Sequence, residues 1–156
     1  ISVSLRDELM LKALILTDEQ AEKYGDLLAE AATSQFSYTE EAYERDCDER
    51  AAESADTFSY DNTGFTAHIT LEEDNLVFFS VPYEEGWTAT VNGEPVDVEK
   101  VQIGFMAVKA SDGDNVIQFY YETPGLHTGI MIRIGAAAVL AAYWVVSSMY
   151  TRRHAE

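Results

Sequence analysis

LVFFSVPYEEGWTATVNGEPVDVEKVQIGFMAVK, residues 76–109, decides the fold, because it joins a β-hairpin signal to a distinctive pattern of proline, glycine and tryptophan. Asn92 and Gly93 form the strongest short hairpin signal, since both central residues of a two-residue type I′ turn take positive φ. Facing residues then have numbers that sum to 185. Trp87 is expected opposite Val98 and Ala89 opposite Val96 on one face, with Thr88 opposite Asp97 and Thr90 opposite Pro95 on the other. The result is an apolar-in, polar-out hairpin. The preceding run Leu76, Val77, Phe78, Phe79, Ser80, Val81 is apolar on both pleat faces and reads as an inner strand of a sheet covered on both sides, ended by Pro82.

Working outward, the pattern on the C-terminal side stays at period two. Strands are expected at 57–60, 65–71, 75–81, 87–91, 95–99, 105–109 and 115–122, separated by turns rich in Asp, Asn, Glu and Gly. About seven short strands at that spacing predict an antiparallel β-sandwich over 57–125. Phe65, Phe79, Trp87, Val98, Phe105 and Phe119 are the expected large core residues.

On the N-terminal side, residues 1–56 read as the helical part of the same domain. The apolar run 10–16 is short enough for a strand but fits a helix equally. Thr17 and Gln20 have capping-box spacing, so a helix should start there, with Ala21, Tyr24, Leu27, Leu28 and Ala31 as its apolar stripe. Ser37 and Glu40 repeat that spacing. They predict a second helix over 38–52, supported by Glu41/Arg45 and Asp46/Arg50 at i,i+4. The fold class is therefore α+β: two helices, a β-sandwich, then one membrane helix.

That last helix is expected at 129–150, a stretch of 22 residues with one charge, Arg133. At about 1.5 Å per residue it can cross a hydrocarbon core of roughly 30 Å. Arg152, Arg153 and His154 follow it in a tail at 151–156, the basic flank expected on the cytoplasmic side, which would put residues 1–125 outside the cell. Gly135, Ala138, Ala141 and Ala142 permit close approach of other helices.

The 156-residue chain has a net charge of −18, and 27 of its 28 acidic side chains lie in the first 125 residues. Such a domain repels nucleic acid, so no nucleic-acid partner is expected. The length supports one soluble domain plus one span. The chain opens with Ile1 and reads as a piece of a longer protein. Cys47, the single cysteine, sits at an apolar helical position and reads as a small buried or half-buried hydrophobe.

Signals of chemistry are sparse. His68, His127 and His154 lack a second His or Cys at ligand spacing, so no metal site is expected. The acidic turns at 72–75 and 112–115 lack an EF-hand's spacing and read as solvated turns. No phosphate loop, serine elbow or marked carboxylate pair occurs, and no catalytic residue is assigned. Tyr83 and Trp87 are the candidate carbohydrate contacts, because aromatic faces stack on sugars and residues 82–86 form a loop that can present them. For Trp87 the competing role is core packing with Ala89, Val96 and Val98, and that is the expected one.

The segments VPYEEGWTATVNGEPV (81–96), VEKVQIGFMAVK (98–109) and FYYETPGL (119–126), followed by an apolar helix, resemble the C-terminal end of YfhO-type bacterial membrane proteins. The resemblance implies the extracellular domain and last membrane helix of a large multi-pass protein of the bacterial cell membrane. It implies a glycosyltransferase-like activity that moves sugar from a polyprenyl-phosphate carrier to envelope polymers such as lipoteichoic acid. The acidic residues expected to act lie upstream of this chain, which would itself be non-catalytic and need no cofactor. Implied partners are the lipid bilayer, the remaining transmembrane helices of the same protein, and envelope polysaccharide. A different-class alternative is a membrane-anchored, non-catalytic carbohydrate-binding or assembly module.

Overall fold

The computed structural model describes residues 12–32 and 39–153. They fall into two compact units, one ending at Tyr121 and one beginning at Glu122. The first unit contains α1 (Asp18–Lys23), α2 (Glu40–Ala52), β1 (Thr57–Tyr60), β2 (Gly64–Leu71), β3 (Asn75–Pro82), β4 (Trp87–Val91), β5 (Glu94–Val96), β6 (Glu99–Val101), β7 (Phe105–Ala110) and β8 (Gly113–Tyr121). The second is one helix, α3 (Leu126–Arg153).

The strands form two antiparallel sheets, β1-β2-β8-β4-β5 and β3-β7-β6. Period-two alternation explains how they pack. Phe65, Ala67 and Ile69 of β2, Ile117 and Phe119 of β8, and Ala89 and Val91 of β4 point inward against Phe79, Met106, Val108 and Ala110 of the smaller sheet. Each large side chain so buried is worth about 1.5–3 kcal/mol relative to an exposed one. Aromatic rings concentrate at one end of this layer: Phe65 and Phe119 stack at 4.5 Å, and Phe79 stands edge-on to Phe119 at 4.9 Å. This is the α+β sandwich expected, with eight strands among the described residues rather than seven.

The extra strand comes from a crossing. The run expected as one strand at 95–99 is broken, because β5 stays with the larger sheet while β6 joins the smaller one. Ala89 still faces Val96 and Thr90 faces Pro95, as the turn at Asn92 (φ 54°) and Gly93 (φ 85°) requires. Trp87 does not face Val98. The chain has left the sheet by residue 98, and Trp87 keeps a partner only on its other side, Tyr121 of β8.

The smaller sheet is covered on its other face too. Leu76, Val101 and Ala107 pack with Tyr24, and Leu14, Leu16, Leu27 and Leu28 close over them. The two-faced burial expected of 76–81 holds only at its start: Leu76 is buried on this side, but Phe78 and Ser80 are exposed, and β3 is an edge strand with β7 the inner one. A register shift between Phe79 and Pro82 lets the proline sit at that edge, where no ladder donor is needed. Phe105 falls on the outer side, edge-on to Phe78 at 5.7 Å, and is not part of the layer between the sheets.

The two N-terminal helices are shorter than predicted. Both bonds of the Thr17/Gln20 capping box form, but α1 ends after six residues and Tyr24 caps it, so Leu27 and Leu28 reach the core from a turn. Thr39, not Ser37, caps α2 by accepting from the backbone of Ala42 at 3.2 Å. Ser37 and Tyr38 lie outside the described residues, as do Met10 and Leu11 of the apolar run 10–16. The rest of that run, after Lys12, is non-helical and docks on the β6–β7 turn. Gln102 donates from its backbone to Ile15 O and from its side chain to Ala13 O, and accepts from Ile15 N.

Thr123, Pro124, Gly125 and Leu126 make a tight turn before α3, with Gly125 at φ 80° and Leu126 N bonded to Thr123 O at 3.1 Å. Proline second and a positive-φ glycine third are the demands of a type II turn. The helix then runs 28 residues, about 42 Å at the standard rise.

Candidate functional site

The loop after β3 carries the two residues singled out in the sequence. Tyr83 is tied down through its backbone N–H, which donates to Gly104 O at 2.8 Å, and its half-buried ring lies 5.9 Å from the Lys100 ammonium. Trp87 is half-buried as well. Its ring stands edge-on to Phe65 at 5.6 Å and to Phe119 at 6.2 Å, and lies 5.1 Å from Tyr121. Both therefore pack against the inter-sheet layer. Glu84 and Glu85 are the exposed members of the loop.

Three carboxylates are held in built environments. Glu99 on β6 accepts from Lys23 at 2.7 Å, from the Tyr24 hydroxyl at 2.7 Å and from Gln20 at 2.8 Å. Burial pushes its carboxyl up, but those three donors outweigh it and hold it below the usual glutamate range. Lys23 is raised in return, chiefly by its bond to Glu99. Asp46 on α2 is 1% exposed and ion-paired to Lys12 at 2.6 Å, with Arg45 at 3.2 Å. The Lys12 contact holds its carboxyl low against the opposing effect of burial. It is this pairing, rather than the expected Asp46/Arg50 contact, that places Asp46 inside. Asp61 accepts from the backbone and hydroxyl of Thr63, both at 2.7 Å, and from Gly64 N at 3.0 Å, which lowers its carboxyl likewise. Each acid is consumed by structure: one pins α1 to β6, one ties α2 to the N-terminal segment, one shapes the β1–β2 turn. Among the described residues no group of three His, Cys, Asp or Glu is placed to hold a metal. Cys47 is half-buried on α2.

A third place was not singled out in the sequence. The outward face of the larger sheet holds an open hollow of about 430 Å³. The sheet registers align Ser59, Thr66, Gln118 and Thr90 in one rank across β1, β2, β8 and β4. Tyr120 occupies the next rank between Gly64 and Thr88. Gly64 is needed where it stands, because a Cβ there would fall 1.9 Å from Phe119 O. The signal was present as alternation in FTAHIT and WTATV, where each threonine falls opposite a core residue. Solvated threonines are ordinary on an open sheet face. Only the register brings them into one row.

A two-sheet acidic domain followed by a 28-residue apolar helix defines a class, the β-domain of a membrane protein. The chain belongs to the YfhO family: the family described as bacterial membrane protein YfhO matches residues 33–133. A curated relative, uncharacterized protein YfhO of Bacillus subtilis (strain 168), is 29% identical over 93 residues, which cover 60% of this chain. The matched stretch spans 11% of that protein's length. No solved structure matches.

Proposed function

We propose that this chain is the outward-facing C-terminal domain and closing membrane helix of a multi-pass glycosyltransferase-like protein that adds sugars to an envelope polymer. Lipoteichoic acid is the candidate acceptor and a polyprenyl-phosphate sugar the candidate donor, both carried over from the family resemblance. The domain caps the membrane core or positions acceptor. By the same resemblance the reacting groups lie in other parts of the full-length protein, and among the described residues Glu99, Asp46 and Asp61 serve structure.

The observation that carries this reading is the joining, in a YfhO-family chain, of an acidic β-domain to a helix long and apolar enough to cross a membrane. A helix apolar all round is stable in lipid or packed against other apolar helices. The test is chemical. In cells lacking the full-length protein, lipoteichoic acid should lose its sugar substituents, as read by NMR of the purified polymer, and the full-length gene should restore them. Unchanged substitution in the deletion strain would leave the membrane-anchored binding module as the better reading.

A further inference from the structure

We propose that the outward face of the five-stranded sheet is a binding platform for an uncharged oligosaccharide, laid across β1, β2, β8 and β4. The inference rests on the reading above, that the full-length protein handles envelope glycans, and places on this face a neutral sugar chain, not the polyphosphate backbone of the candidate acceptor.

The lining argues for a polyhydroxylated ligand. Ser59, Thr66, Gln118 and Thr90 stand in one rank, spaced at the inter-strand distance of about 4.8 Å. Hydroxyls and a primary amide both donate and accept, which is what sugar hydroxyls require of a partner. Among the described residues none hydrogen-bonds to the side chains of Thr66, Thr90 or Gln118, so the rank is not committed within the domain. One aromatic ring stands beside it on the same face: Tyr120, in the next rank, is 52% exposed. An apolar ring face beside a row of polar groups suits the mixed surface of a pyranose.

Charge decides the class of glycan. The chain carries 28 acidic side chains, yet among the described residues Asp61 is the one carboxylate in the lining of the hollow, and its bonds to Thr63 and Gly64 already engage it. Among the described residues no basic side chain lines the hollow. A polyphosphate would meet no cation there and the field of a net −18 chain. A neutral sugar chain meets neither obstacle, so it is the complementary occupant.

The test uses the 156-residue chain in a zwitterionic detergent, since a glycoside detergent would itself be a sugar. Backbone amide NMR follows titration with the tetrasaccharides of β-linked N-acetylglucosamine and of glucose, with poly(glycerol phosphate) as the charged comparison. The expected result is that at least one tetrasaccharide shifts the amides of Thr66, Thr90, Gln118 and Tyr120. Tyr120→Ala should weaken binding roughly tenfold, and the near-isosteric Thr90→Val should weaken it less, both with the parent's melting temperature. Three results would overturn the proposal: no shift with either sugar, shifts gathered on residues 82–86 around Tyr83, or tighter binding of the polyphosphate. Binding is read without any transfer reaction. If a sugar binds this face while the deletion strain keeps its polymer sugars, the platform stands and the proposed transfer falls.

Discussion

At Gly93 the backbone sits at φ 85° with nothing within 4 Å of where a Cβ would be, so the demand on this position is conformational and not one of space. Gly93→Val should therefore cost more than about 1 kcal/mol, and Gly93→Asn less, since asparagine tolerates positive φ and valine does not. Equal unfolding midpoints for the two variants would contradict the turn. Asn92 does more than turn the chain: its side chain accepts from Val116 N at 2.8 Å and donates to Asn115, itself buried and bonded to Ser111 O and Gly113 O. Trp87 makes a different demand. It meets three rings, and Trp87→Ala should fall near the lower end of the roughly 3–5 kcal/mol seen for fully buried aromatic truncations, because the indole is only half-buried. Tyr83→Ala should cost less. A thermal melt of both variants checks the order, and a Trp87→Ala chain that melts like the parent would return the indole to the surface and strengthen the loop as a sugar contact.

Among the elements, α1 is held to β6 by the Glu99 cluster, and this attachment should respond to pH in one direction. A carboxyl lowered on folding contributes stability that is fully present above its ordinary value of 4.5 and is lost as pH falls through the lower folded value. Glu99→Gln should thus lower stability at neutral pH by on the order of 1 kcal/mol, and the gap to the parent should close as the medium is acidified. A gap that widened in acid would refute the assignment. Lys23, raised on folding, loses its share only at alkaline pH and leaves the acid limb to the carboxylates. The start of α1 could be read in advance because Thr17 and Gln20 settle it within one turn. Its end could not, since Tyr24 leaves the helix to meet Glu99, which lies 75 residues away. The same limit governs the strands. Alternation identified their core faces, but which sheet the 97–98 segment serves, whether β3 is inner or edge, and which side Phe105 takes depend on partners distant in the chain. The candidate sugar rank is the extreme case, drawn from four strands at once.

For the molecule as a whole, charge and apolarity are segregated along the chain, with 27 of 28 acidic residues before residue 126 and Arg152 and Arg153 just beyond the apolar stretch. If the basic flank lies inside, as the proposed orientation requires, a cysteine placed at Asp112 of the full-length protein should react with an impermeant maleimide in whole cells, and one at Ala155 should not, on a Cys47→Ser background. The reverse pattern would turn the protein over. A last consequence lies in the short run from Glu94 to Val101, whose two ends are hydrogen-bonded into opposite sheets. It acts as a stitch through both layers. Peeling either sheet away pulls on the other through two intervening residues, so the layers should come apart in one event. A protease would then find the β-domain closed or wholly undone, with no half-open form to nick.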